Sequence, residues 1–473
     1  MASEKESQNS QAQETHSIPT DYDKKQDKKL IRKVDLRLIP ILTLLYLLSF
    51  LDRTNIGNAR IIGLAADLNV SPPAYNTSLA LYFIAYVVFE VPANIVLKRF
   101  DPQIWLPTLT LLWGIVSVCQ GLVTNQAGLF GIRVLLGVTE AGLFPGVIYV
   151  FSVYYRRSER SWRVAIFFGG AALAGAFGGI LAYAIAKMIF IIEGLLTVAI
   201  SFVAYFLVPT WSYNAKFLTD SEREHLLERL RADSDAADNE KFEWYYVRQA
   251  WTDHLCWAYA LLFHGFAFVL YSLSLFLPTI IAGLGFQSWQ AQLLTIPPNA
   301  LASLAIWFIV WVSSRYNLRA PFIIGAAFVA IIGYIILLTA KTPGGQYVGV
   351  HFAAAGVYTG NALLLSWPSE NVSGQTKRAI AVATQITIGD IGAVAGVLIY
   401  RPNFSGHHFR KPHIISIGYL VFAAAVAAYL WIWKARENAR RDEVLRKLAD
   451  EKEVKQEVNR RTGDRDIYYR YHV

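Results

Sequence analysis

Apolar runs of about twenty residues, separated by short polar connections, fill most of the chain. Windows that avoid charge predict twelve spans, near 37–58, 76–97, 104–124, 127–150, 164–186, 189–209, 255–283, 289–312, 320–340, 346–368, 379–400 and 413–433. At about 1.5 Å per residue each run is long enough to cross a hydrocarbon layer of roughly 30 Å. Inside that layer a helix satisfies its own backbone, so the pattern predicts an all-α integral membrane protein with twelve transmembrane helices.

Between residues 211 and 254 the hydrophobicity collapses into LTDSEREHLLERLRADSDAADNEKFEW, helical in spacing at first and acidic afterwards. That segment divides the spans six and six. The expected organisation is a cytosolic tail (1–36), a six-helix half (37–210), a cytosolic linker (211–254), a second six-helix half (255–434) and a cytosolic tail (435–473). A shift of 217 residues superimposes Arg160 on Lys377, Gly175 on Gly392, Gly179 on Gly396 and Tyr183 on Tyr400. Spans 5 and 11 thus match, as in carriers built from two parallel six-helix repeats, pseudo-symmetric halves with the substrate site between them. The same alignment exposes a short connection: only AIAKM separates Tyr183 from the next apolar run, against twelve residues after Tyr400. Either helix 5 stops early or residues are missing near Met188.

Composition agrees with the spans, since 54% of the 473 residues are hydrophobic and only 17% charged, too apolar for a soluble protein. The net charge of +9 would suit nucleic acid, but about 35 of the 44 Lys and Arg fall in the tails, the linker and the loops on one side of the spans. That asymmetry is the positive-inside pattern, which excludes a nucleic-acid role and puts both termini in the cytoplasm. The first 35 residues lack the apolar core of a cleavable signal, so the first span itself is expected to target the chain. Cys119 and Cys256 lie in or at the edge of spans and suggest neither disulfide nor metal site.

Within the first run, LRLIPILTLLYLLSFLDRTNIGNAR, Asp52 and Arg53 stand side by side. Each charge at the centre of a span costs roughly 2.5 to 3.5 kcal/mol on insertion scales, so such residues face a protein interior or a water path. The stretches YLLSFLDRTNIGNAR, FEVPANIVLKRF followed by WLP, and FGIRVLLGVTEAGLFPG resemble the anion:cation symporter branch of the major facilitator superfamily, specifically its fungal allantoate and nicotinate permeases. The resemblance implies a twelve-helix carrier of small organic anions with protons. The chain is expected to act as a monomer in the plasma membrane without a cofactor.

A carboxylate entering a low-dielectric cavity needs a fixed cation, and arginine offers a two-pronged donor that keeps its charge. Arg53 and Arg133 are the arginines within spans. The resemblance assigns the substrate carboxylate to Arg53 and proton carrying to Asp52 and Glu140. Glu140 follows Arg133 by seven residues, placing both on one side of span 4. Asp390, in TQITIGDIGAV, is a further proton or substrate-polarity candidate, and Gln385 accompanies it. Tyr271 with His264 in span 7, and Asn361 with Trp367 in span 10, complete the candidate substrate contacts. Glu90, Lys98 and Arg99 resemble the gating hinge between helices 2 and 3 of the superfamily, without its usual glycine-and-aspartate form. Pro297, Pro298 and Asn299 are expected to break span 8. The loop HHFRKPH, with His407, His408 and His413, reads as solvated rather than metal-binding.

These residues point to a proton-coupled importer of nicotinate, allantoate or a similar carboxylate. The alternatives are an export facilitator for an acidic metabolite and a non-transporting nutrient sensor. An enzyme is disfavoured, because the spans hold no clustered His or Cys ligands.

Overall fold

The computed structural model describes residues 21–185, 188–233, 243–400, 409–450 and 463–472. Among the described residues twelve helices are long and apolar enough to cross a membrane: α1 (Asp21–Ile61), α2 (Pro72–Arg99), α3 (Pro102–Gln120), α4 (Gln126–Tyr154), α5 (Arg157–Ile185), α6 (Ile189–Leu207), α7 (His254–Gly283), α8 (Ser288–Tyr316), α9 (Ala320–Thr339), α10 (Pro343–Asn371), α11 (Gln375–Leu398) and α12 (Arg410–Asp450). No strand occurs among the described residues. Two shorter helices, Asp220–Asp233 and Trp244–Trp251, lie between α6 and α7.

Proline and glycine set the breaks. α4 is interrupted at Ala141 and Gly142, because Pro145 lacks the N–H that would bond to Ala141 and its ring clashes there. Glu140 therefore ends a helical segment. In α8 the interruption falls at Leu294 and Thr295, ahead of the prolines, which open the second segment Ile296–Tyr316 where a missing N–H costs little. Only residues 186–188 separate α5 from α6; of these 186 and 187 lie outside the described residues, as do His407 and His408. His413 is buried beside Tyr334 and Tyr400.

α1 packs on α5, α7 on α11, α3 on α6 and α9 on α10, while α1–α6 meet α7–α12 through α1 with α7, α2 with α11, and α5 with α8 and α10. The glycines aligned by the repeat all permit close approach, but against different partners. Gly175 and Gly179 face Asn299 and Thr295 of α8, whereas Gly392 and Gly396 face the backbone of His264 and Phe268 in α7. Gly178, one residue along, faces Asn55 of α1. One residue is a turn of about 100° around a helix, so matching spacing does not fix matching faces.

Both mouths between the six-helix sets are closed. On the side away from the termini, Asn76 Nδ2 donates to the Val397 carbonyl at 2.9 Å, and Gly57 lies directly against the Leu275 carbonyl. On the side of the termini, Ser161 and Arg157 of α5 donate to Glu370 of α10, which Arg319 also holds at 3.3 Å. The segment Gly463–His472 lies over this mouth: Asp464 meets Lys377 at 2.7 Å, the His472 N–H meets Asn371 at 2.8 Å, and Tyr469 accepts from Arg157. Burial raises the Asp464 carboxyl above its ordinary range, against the pull of Lys377. A β-carbon at position 57 would overlap the Leu275 carbonyl, so Gly57→Val is expected to hold the far mouth open. Cysteines placed along α7 there should then react faster with a membrane-impermeant maleimide.

Candidate functional site

A small enclosed cavity lies between the two six-helix sets, lined by Tyr46, Arg53, Tyr86, Phe144, Phe168, Phe263, Leu270, Tyr271, Ile386 and Asp390. Its space is of the order of a single water. Aromatic rings make most of the wall, with one guanidinium and one carboxyl among the lining groups.

Arg53 is 4% exposed and reaches the cavity from α1. Its Nη1 donates to the Tyr271 hydroxyl at 2.9 Å and its Nη2 to Glu140 Oε1 at 3.1 Å, while Nε has no partner. The guanidinium carbon stands 5.2 Å from the ring centres of both Tyr82 and Tyr86, and 5.5 Å from that of Tyr271. Such a cage favours a weakly hydrated guanidinium over an ammonium. Glu140 also accepts from Ser49 and Tyr82, so one carboxylate is held by three donors from α1 and α2. Asp390 faces the same cavity from α11, within electrostatic reach of Arg53 but without a hydrogen bond to it.

The other expected site residues separate. Asp52, adjacent to Arg53 in sequence, points away from the cavity and accepts from Trp113 at 3.1 Å and Ser117 at 2.8 Å on α3. Arg133 does not line the cavity: it is buried, and among the described residues it has no ion pair and its Nε and Nη2 have no hydrogen-bond partners. The shared side of α4 does not become a shared ion pair, because Arg53 takes Glu140. Asn361 and Gln385 spend their amide hydrogens on backbone carbonyls, at 2.8 Å to Val357 and 3.1 Å to Leu364. Neither lines the cavity. Trp367 lies at the terminal end of α10, bonded to the His472 carbonyl at 3.2 Å and under Lys434. His264 Nδ1 donates to the Ile388 carbonyl at 2.9 Å and does not reach the cavity.

The expected hinge group also divides. Glu90 is 1% exposed and takes a bond of 3.5 Å from Thr387 of α11, whereas Arg99 is exposed and the Lys98 side chain lies outside the described residues. Glu90 continues the stripe Tyr82, Tyr86, Glu90 along one face of α2, four residues apart each time. That spacing was available in the sequence and marks Tyr82 and Tyr86 as site residues. Tyr46, Ser49 and the three cavity phenylalanines carry no such signal. Glu193 of α6, buried beside Asn55, is another acid the span pattern contained.

Residues 42–397 match the Major Facilitator Superfamily. The chain is 34% identical over 85% of its length to the "MFS transporter prlL" of a fungal strain, spanning 86% of that protein. It is 32% identical over 89% of its length to the "High-affinity nicotinic acid transporter" of Saccharomyces cerevisiae, spanning 80% of it. Among solved structures, a bacterial homologue of the human lysosomal transporter Spinster, inward-facing and occupied, superimposes with a TM-score of 0.60 at 17% identity, covering 83% of this chain and 95% of the other.

Proposed function

The chain belongs to the Major Facilitator Superfamily, and for this carrier we propose proton-coupled uptake of a small aromatic monocarboxylate of the nicotinate kind. The observation that carries the reading is Arg53, held between Glu140 and Tyr271 on the wall of a closed aromatic cavity. A planar ring would stack among Tyr46, Tyr86, Phe144, Phe168 and Phe263 once the two helix sets part and widen the cavity, and its carboxylate is the group that competes with Glu140 for the guanidinium. The similarity to a protein named for nicotinic acid supports this class of substrate.

Coupling follows from that competition. While Glu140 is ionised it occupies Arg53, and a substrate carboxylate entering the site would meet a second negative charge. A proton on Glu140 removes the charge and weakens its bond to Arg53. The fork then pairs with the substrate. On the cytoplasmic side the order reverses: substrate and proton leave, and Glu140 closes on Arg53 again. The free carrier thus keeps its buried cation neutralised throughout, which a low-dielectric site requires. Both termini are assigned to the cytoplasm from the basic loops, and the six-helix sets α1–α6 and α7–α12 are assigned as the bodies that rock about the cavity.

Purified protein in proteoliposomes tests the reading. An acid-outside gradient should drive nicotinate above its equilibrium level, and collapse of the gradient should release it. Asp390 opposes a second negative charge in the cavity, so Asp390→Asn is expected to raise inhibition by pyridine dicarboxylates at least tenfold while nicotinate uptake persists. Inhibition constants for the two compounds in wild type and variant provide the check.

A further inference from the structure

The segment Gly463–His472 is polar, yet it is seated in a cleft at the ends of α10, α11 and α12 nearest the termini. Gly463, in the left-handed region at φ 55°, starts it beside Ser373. Asp464 and Tyr471 are 1% and 5% exposed. The Asp464 carboxylate meets the buried Lys377 ammonium, and its carbonyl accepts from Arg441 at 3.0 Å and from the Tyr471 hydroxyl at 2.9 Å. Asn438 of α12 donates to the Tyr471 carbonyl at 2.9 Å and accepts from its N–H at 3.0 Å. The His472 carbonyl takes bonds from Trp367 and Lys434, and its ring meets Asn317, between α8 and α9, at 3.1 Å.

These partners all belong to the second six-helix set. The segment crosses to the first set at Tyr469, whose hydroxyl accepts from Arg157 of α5 and donates to the Glu370 carbonyl of α10 at 3.4 Å. The Arg157 guanidinium carbon also stands 5.3 Å from the centre of the Tyr469 ring. One side chain thus ties α5 to α10 where the two sets must part for this mouth to open. Because the rest of the segment is fastened to the second set, Tyr469 stays at high effective concentration beside Arg157. The helix Asp220–Asp233 behaves differently: its Arg229 pairs with Asp27 of α1 and Glu159 of α5, both in the first set, so those bonds survive the opening.

We propose that the ends of α10, α11 and α12 form a docking cleft for the chain's own segment Gly463–His472, and that the docked segment latches this mouth shut through Tyr469 and Arg157. The mouth opens when Tyr469 lets go of Arg157 or when the segment leaves the cleft. Such a latch changes how often the mouth opens, not the driving force on the substrate, so it sets the rate of transport and leaves the final accumulation alone. It rests on the assignment of the six-helix sets as rocking bodies, made above, and is independent of which substrate the cavity takes.

Cysteine accessibility reads both mouths in the full chain carrying Cys119→Ser and Cys256→Ser. Ser366→Cys reports the near mouth, since the Ser366 hydroxyl of α10 donates to Ser161 of α5 at 3.2 Å, and Val397→Cys reports the far mouth. In broken membranes, where a polar maleimide reaches both faces, Tyr469→Phe should raise the labelling rate at Ser366→Cys about threefold and lower it at Val397→Cys, as loss of one hydrogen-bonding oxygen dictates. Removal of residues 463–473 should shift both rates further in the same directions. A peptide of that sequence, added in excess, should restore the intact rates, and a scrambled peptide should not. Unchanged labelling in either variant, faster labelling at the near reporter alone, or a peptide without effect overturns the latch. Tyr469→Phe, which loses a single oxygen, decides the matter if the shortened chain fails to fold. Absence of nicotinate uptake in the intact carrier would instead overturn the function proposed above and leave the labelling result standing.

Discussion

Arg53→Gln is expected to lower nicotinate uptake by two to three orders of magnitude while the protein still reaches the membrane. The substrate carboxylate would lose two charge-assisted bonds, each contributing about 1.5 to 3 kcal/mol in a buried setting. Values at or a little above the low end for both give about 3 to 4 kcal/mol, and each 1.4 kcal/mol is a factor of ten. Folding should survive, because Glu140 keeps its bonds from Ser49 and Tyr82 and can hold a proton. Arg53→Lys should recover little, since an ammonium lacks the fork and sits poorly among the rings of Tyr82, Tyr86 and Tyr271. Initial uptake rates, normalised to surface expression, are the measurement. A glutamine variant within threefold of wild type would remove Arg53 from the site.

Glu140→Gln should separate exchange from accumulation. The amide oxygen can still accept from Ser49 while the NH2 donates to the Tyr82 hydroxyl, but the side chain carries no charge to compete for Arg53 and takes no proton through the cycle. Counterflow of labelled against unlabelled nicotinate should stay within a few-fold of wild type. Uphill accumulation under an acid-outside gradient should fall at least tenfold. Loss of counterflow together with accumulation would mean that Glu140 holds the architecture rather than the coupling, and accumulation at the wild-type level would place the exchangeable proton elsewhere.

The twelve spans were legible because a bilayer demands about twenty apolar residues per helix, a demand that leaves little ambiguity. Charges within those spans were legible for the same reason, and Arg53, Glu140 and Asp390 emerged at or beside the cavity. Their pairing was not. Asp52 and Arg53 are neighbours in sequence, but the turn of about 100° between them sends one to α3 and the other to α7. Arg133 and Glu140 share a helix face, yet Glu140 is taken by Arg53 from α1. Glu193 obeys the same rule as Asp52, an acid in an apolar run. The cavity phenylalanines could not be distinguished from the many aromatic residues that face lipid or core, since that distinction depends on helix rotation. Trp367 shows the converse, an aromatic in a promising span whose ring belongs to the packing of the tail segment Gly463–His472.

In the proposed mechanism a proton on Glu140 frees Arg53 for the substrate. Nicotinate affinity of the detergent-purified protein, measured by a scintillation proximity assay from pH 5 to 8, tests it most directly. Wild type should bind most tightly in acid, with Kd rising about tenfold per pH unit along the alkaline limb, as loss of one required proton dictates. Glu140→Gln should bind with the affinity of the acid form across the whole range. A Glu140→Gln protein whose affinity still falls with pH along the wild-type slope would contradict the account.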